Sequence, residues 1–262
     1  MSNAKAGMSH RSPFTDERLL APAGVWEGIT CVNKFGENHN VATDSTETIW
    51  EGSNLYPFPA TALITSMSQT ADQLAMRGAT IEVQGLDADW NLVIQNADLD
   101  GTLTTNVVTL STPLIRVFRA KVMADVVSDQ VIRIHNAGET VDYAIITAGE
   151  NQTTMAIYTV PANFTAYLTN YYSHHHPATN QNPTSLDLKL YGADRHNGYA
   201  GQLKHTVGVP TGGAFHHPFV PYMRFTQKTD IYMTATTVGK AAHVSAGFDL
   251  YLLDNRIYGE PS

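Results

Sequence analysis

From residue 60 onward the sequence carries a hydrophobic period of two, and this limits the fold more than any other feature. ALITSMS at 62–68, ATIEVQGL at 79–86, WNLVIQNADL at 90–99, TNVVTL at 105–110 and LIRVFRAKVMA at 114–124 are rich in Val, Ile and Thr and largely alternate. Successive side chains of a strand point to opposite faces, so such alternation fits a sheet with one buried face. After Asp129 a second series follows, including VIRIHNA, TVDYAIITA, TAYLTNYYSH, SLDLKLYGA, DIYMTATT and AGFDLYLLD. Turn sequences such as AGE, PAN and GADRHNG separate many of them, and strands at this even spacing imply a sandwich or jelly roll rather than a parallel sheet. Only SQTADQLAMRG at 68–78 suggests a helical turn. The expected class is all-β: antiparallel β-sandwich or jelly-roll-like modules preceded by an extended N-terminal arm.

The arm is assigned to 1–47, where Pro13, Pro22, Gly24, Gly28 and Gly36 interrupt any alternation. Phe14, Leu19, Leu20, Trp26 and Phe35 give it more apolar anchors than a disordered tail carries, so it is expected to bind its own body or a neighbour. The polar break VVSDQ at 126–130 divides the remainder into a β module at 48–128 and a second at 129–255, with a short tail at 256–262.

Composition removes several function classes. Charged residues are only 15% of the 262, and the net charge is −8 with no basic stripe, which argues against a nucleic-acid partner. The longest apolar runs, such as VDYAIITA at 141–148, fall far short of the roughly 20 residues a membrane-crossing helix needs. The opening MSNAKAGMSHRSPFTDERLL lacks the apolar core of a secretory signal, so the chain is expected to be made and kept in a cytoplasm before assembly. Cys31 is the only cysteine, which excludes an intrachain disulfide and a cysteine zinc cage; a small buried core thiol is expected.

Histidines are the one unusual chemical feature. YYSHHHPATN at 171–180 places His174 and His176 on one strand face with His175 opposite, and FHHP at 215–218 adds His216 and His217. Imidazole is the commonest metal ligand. No HExxH, no facial His-His-carboxylate spacing and no neighbouring carboxylate accompanies the run. The expectation is therefore no metal and no cofactor, with His174, His176 and His216 the candidates should their strands meet. As a contact surface, His174, His175 and His176 join Phe14, Leu19, Leu20, Trp26 and Phe35.

Asp87, Asp89, Asn91 and Asp98 mimic a calcium loop, but Leu92 stands where that loop needs Gly, so a polar hairpin turn is the expectation. Trp50, Tyr56 and Phe58, with the aromatics of NYYSHHH, are candidates for a sugar-stacking platform. No GxSxG, GxxxxGK[ST] or helix-opening GxGxxG occurs, and the chain is read as non-enzymatic.

GVWEGITCVNKFG at 24–36, ETIWEG at 47–52, YPFPA at 56–60, ATIEVQGLDADWN, IYTVPANFTAYL and SAGFDLYLLDN at 245–255 together resemble a virion structural protein family of tailed phages of marine bacteria. The resemblance covers roughly 24–255 and lies in the order of the motifs, none of which is catalytic. It implies a virion component partnered by the major capsid protein or other virion proteins, made in the host bacterial cytoplasm. Capsid decoration or cement is the preferred role, and a tail, collar or fibre component binding host carbohydrate is the alternative. By analogy with decoration proteins a homotrimer is favoured.

Overall fold

The computed structural model describes residues 17–177 and 182–260. Two short helices, α1 (Glu17–Leu20) and α2 (Asn255–Tyr258), bracket sixteen strands. These are β1 (Ile29–Val41), β2 (Thr46–Thr48), β3 (Ile64–Gln69), β4 (Thr80–Leu86), β5 (Leu92–Asp98), β6 (Val108–Leu114), β7 (Arg116–Val122) and β8 (Ile132–His135). They continue with β9 (Asp142–Ile146), β10 (Ile157–Thr159), β11 (Phe164–His176), β12 (Ser185–Asp194), β13 (Gln202–Gly208), β14 (Ala214–Phe225), β15 (Thr229–Val238) and β16 (Ala242–Asp254). Every pairing between strands is antiparallel. The helical hint at 68–78 becomes a single 3-10 turn, Leu74–Met76.

One sheet runs β1-β16-β11-β14, and the sheet facing it runs β10-β15-β12-β13 with β2 also on β15. Leaving β10 aside, the eight strands β1, β2, β11, β12, β13, β14, β15 and β16, numbered along the chain, give the orders 1-8-3-6 and 2-7-4-5. That is the order of a double-sheet jelly roll. Its core follows the alternation: Val244, Ala246, Phe248, Leu250 and Leu252 of β16 point inward against Ala166, Leu168 and Tyr171 of β11 and Leu188, Leu190, Ile231 and Met233 of the opposite sheet. Each such large apolar side chain, fully buried, contributes about 1.5–3 kcal/mol.

The jelly roll is interrupted. β2 and β10 lie end to end along the same edge of β15, pairing with Thr234–Thr236 and Asp230–Tyr232. Between them the chain leaves and returns through two adjacent crossings, bridged at Trp50 and Met155 and by Ala156 N–H donating to Ile49 O at 2.9 Å. The excursion carries β3 to β9 as a second sandwich, with sheets β6-β3-β8-β9 and β5-β4-β7 closing over Ile64, Met67, Ile81, Val83, Leu114, Ile132 and Ile134.

This arrangement corrects the sequence-derived boundaries. VVSDQ is no module border: β8 and β9 pair with β3 in one sheet, and the buried Ser128 of that break is tied to Gln69 Nε2 at 2.7 Å inside the insert. A polar break marks a loop, and nothing in its composition distinguishes a loop within a sandwich from one between two. The arm likewise is only partly an arm, because β1 pairs along β16 from Ile29 to Val41 and belongs to the jelly roll. Its alternation is hidden because the inward positions hold Lys34, Gly36 and Asn38, all buried.

Cys31 falls on the outward phase of the same strand and is exposed, not a core thiol. Trp50 and Tyr56 are buried in the insert's core with Phe58 packed half-buried against them, so they form no sugar platform. Residues 87–91 make the β4–β5 turn, where Asp87 Oδ1 accepts from the backbone N–H of Asp89 and of Asn91, both at 2.9 Å.

Candidate functional site

Because β16 and β11 bury alternate residues, their other residues form one outward face across the β1-β16-β11-β14 sheet. Pairing registers place these residues in rows: Cys31, Tyr251, Tyr167 and Arg224; then Asn33, Asp249, Asn170 and Pro218; then Phe35, Gly247, Tyr172 and His216; then Glu37, Ser245, His174 and Ala214. The face is thus graded along the strands.

At one end it is aromatic. Trp26, Ile29, Tyr167, Tyr222, Tyr251 and Leu253 surround a hollow of about 250 Å³, with Trp26 and Tyr222 exposed. Beside it runs a shallow groove of about 620 Å³ floored by the middle of the face. There Asp249 accepts from Asn33 Nδ2 at 2.6 Å and from Asn170 Nδ2 at 3.0 Å, a row of amide and carboxylate that fixes both amides.

At the other end the face is histidine. His176 and His243 are directly paired across β11 and β16. Their rings stack with centroids 4.1 Å apart and 15° between planes, and His39 of β1 stacks on the far side of His243 at 4.6 Å. His174 meets His176 edge-on at 4.5 Å. Glu37 sits among them: its Oε1 lies 2.5 Å from His243 Nε2, 3.8 Å from His176 Nε2 and 4.0 Å from His39 Nε2. His39 Nδ1 is in turn 3.2 Å from Glu51 Oε2, and Glu51 is oriented by Thr154 Oγ1 donating at 2.7 Å. Glu51 and Thr154 stand at the two crossings into the insert, so the cluster lies where the sandwiches meet. Burial, then the neighbouring His243 and His174, hold the His176 imidazole below its ordinary pKa and favour the neutral form.

The sequence-selected residues divide on this face. Trp26, Phe35, His174 and His176 lie on it, and Leu19 is exposed in α1 near its aromatic end in sequence. Leu20 is half-buried. Phe14 lies outside the described residues. His175 does not belong to the face: it is fully buried on the inner side, where its Nδ1 accepts from Gly212 N–H at 3.3 Å, as strand alternation requires. His216 is on the outer face but opposite Tyr172, two strands and two rows away from His243, so it joins no ligand group with His176. Glu37, His39, His243 and Glu51 were missed. Their only signal is GENHN at 36–40, where Glu37 and His39 share a strand face; that β1 lies beside β16 is information about topology.

No protein-family model matches the sequence, and no curated protein matches it. Among solved structures, a chain of the infectious bursal disease virus Gt strain aligns with 13% identity, covering 87% of this chain and 73% of that one at a TM-score of 0.23. A chain of the infectious bursal disease virus VP2 subviral particle aligns with 11% identity, covering 89% and 74%, also at 0.23. These likenesses are too distant to carry an argument about assembly or activity. The jelly-roll assignment rests on strand order.

Proposed function

We propose that this chain is a structural component of a virion, carried on the outside of the head as a decoration or cement protein. The outward face of the β1-β16-β11-β14 sheet is its contact surface, and the major capsid protein is its partner. The observation that carries this reading is the aromatic end of that face. Tyr and Trp supply large, rigid, amphipathic contact area and dominate the energetics of protein interfaces, and here four of them surround one shallow hollow beside hydrogen-bonding amides. The motif order, which resembles that of phage virion proteins, supports the same reading. Two of those motifs have structural explanations: Gly36 of NKFG passes against the crossings into the insert, and Gly52 of IWEG underlies the Trp50 ring. The homotrimer remains the proposed assembly.

An aromatic platform also stacks on sugar rings, which is how a tail or fibre component would use it. One experiment separates the two. Heads lacking the protein are incubated with wild-type chain and with Trp26→Ala, Tyr222→Ala and Tyr251→Ala, and the bound amount is measured against the major capsid protein. Binding at a copy number comparable to that of the capsid protein, lost in the variants, supports decoration. Failure to bind heads, with retention on host-cell glycan that the same variants lose, replaces it with the tail reading.

A further inference from the structure

The histidine end of the same face carries a chemistry of its own. Three strands that are neighbours only through the jelly-roll topology, β1, β16 and β11, deliver the Glu37 carboxylate and a ring nitrogen each of His243 and His176 to one point, all within 4.8 Å of one another. All three side chains are partly exposed, so an ion can reach them from solvent. We infer that Glu37, His176 and His243 form a binding site for one first-row divalent transition metal of the zinc class, which ties β1, β16 and β11 together at the end of the sheet beside the insert's crossings.

Zinc, cobalt and nickel sit about 2.0–2.2 Å from imidazole nitrogen and carboxylate oxygen, which for a tetrahedral ion sets ligand atoms roughly 3.3–3.5 Å apart. Glu37 Oε1 and His176 Nε2, at 3.8 Å, are already within half an ångström of that spacing. His243 Nε2, at 2.5 Å, is hydrogen-bonded to the carboxylate as a donor. The ion takes the place of that proton, which moves to Nδ1 or to solvent, and pushes the two groups about 1 Å apart. The rings are parallel, so one turns about its Cβ–Cγ bond to bring both lone pairs onto the ion. Three protein ligands leave a fourth position for water.

Further groups stand around the three. His176 Nε2 lies 3.0 Å from Ser245 Oγ, a hydrogen bond that the ion displaces when it binds that nitrogen. His39, held by Glu51 and through it by Thr154, backs both His243 and Glu37. Glu51 and Thr154 belong to the crossings, so the site lies directly beside the joint. The ligand type selects among metals: two imidazoles and one carboxylate suit zinc, nickel or cobalt better than calcium or magnesium, which need mostly oxygen.

The test uses the purified full chain, stripped with a chelator and titrated with zinc chloride by calorimetry and with cobalt(II) by visible absorption. One zinc per chain is expected, with a raised melting temperature and a cobalt spectrum in the d–d region. Glu37→Gln and His243→Gln each lower zinc affinity at least about tenfold, whereas His174→Gln lowers it less than about threefold. Melting of the metal-free variants is compared with metal-free wild type, and because the two ligands lie on different strands either one that melts cooperatively decides the matter. Zinc binding unchanged in Glu37→Gln and His243→Gln but abolished when His174, His175 and His176 are all replaced identifies a plain run of histidines acting as a chelator and overturns the site. Absence of zinc and cobalt binding overturns it as well.

Discussion

Arg116 and Asp230 form a bidentate ion pair that joins the two sandwiches, with Nε to Oδ1 at 2.7 Å and Nη2 to Oδ2 at 2.9 Å. Arg116 is on β7 of the insert and Asp230 on β15 of the jelly roll, and both are buried. Asp230 also accepts from Arg195 Nε and Thr159 Oγ1, each at 2.7 Å, while Arg116 donates to Pro59 O and lies over the Phe58 and Trp90 rings. The buried guanidinium and carboxylate are thus each met by opposite charge. Asp230→Ala therefore strands a buried guanidinium and is expected to cost about 3–5 kcal/mol. Urea denaturation is expected to show an earlier midpoint, whereas Arg195→Ala, at a more exposed position, costs less. Equal losses from the two would mean that the joint does not depend on the buried pair.

Gly36 is the point where β1 passes under the crossings. A Cβ there would sit 2.2 Å from the backbone nitrogen of Ala156 and 2.7 Å from Ile49 O, both main-chain atoms that cannot step aside. Gly36→Ala is expected to lower the melting temperature markedly, at a cost of at least about 1–3 kcal/mol. Gly101→Ala, where nothing lies within 4 Å, is the matched control and leaves the melt unchanged. If Gly36→Ala melts like the control, the crossings are not packed against β1.

The class of fold was legible because it depends on local alternation, which strands such as β4, β11 and β16 display along their own length. What was not legible depends on which strands become neighbours. β1 reads as irregular because its inner positions hold Lys34 and Asn38, made tolerable by partners from elsewhere: Lys34 Nζ donates to Phe118 O, and Asn38 Nδ2 to Glu47 at 3.0 Å. The interruption between β2 and β10 was invisible because both are three residues long. The histidine cluster was half legible. The facing of His174 and His176 follows from period two, but the partners Glu37 and His243 are brought in by the pairing of the first strand with the last.

β1 also sets how much of the N-terminal region can be removed. Deleting residues 1–16 leaves every described strand intact, so a cooperative melt close to that of the full chain is expected. Deleting residues 1–47 removes the edge strand with buried Lys34, Asn38 and Val41 and uncovers β16, the central partner of that sheet. An exposed strand edge over a broken core aggregates, so the longer deletion is expected to be insoluble or to melt without cooperativity. A soluble, well-folded product of the longer deletion would show that β1 is dispensable.

The inner face holds a second histidine group that gives the jelly roll a pH dependence of its own. Tyr171 OH lies 2.6 Å from His205 Nδ1, and His205 stacks on His217 at 4.6 Å among Phe215 and Phe219. Burial, and after it the charge that His217 would carry, push the His205 pKa below its ordinary value. The folded state therefore binds the His205 proton less readily than the unfolded chain does. Stability from this group is fully present above the unfolded value of about 6.5 and is lost as pH falls through it. Denaturation midpoints measured between pH 8 and pH 5 are expected to fall on the acid side, and His205→Gln, which cannot gain the proton, should flatten that fall. Histidine resonances followed by NMR should place the His205 transition below the ordinary imidazole value of about 6.5. A His205 that titrates at or above the ordinary value, with an acid response unchanged by the substitution, would rule this group out as its source.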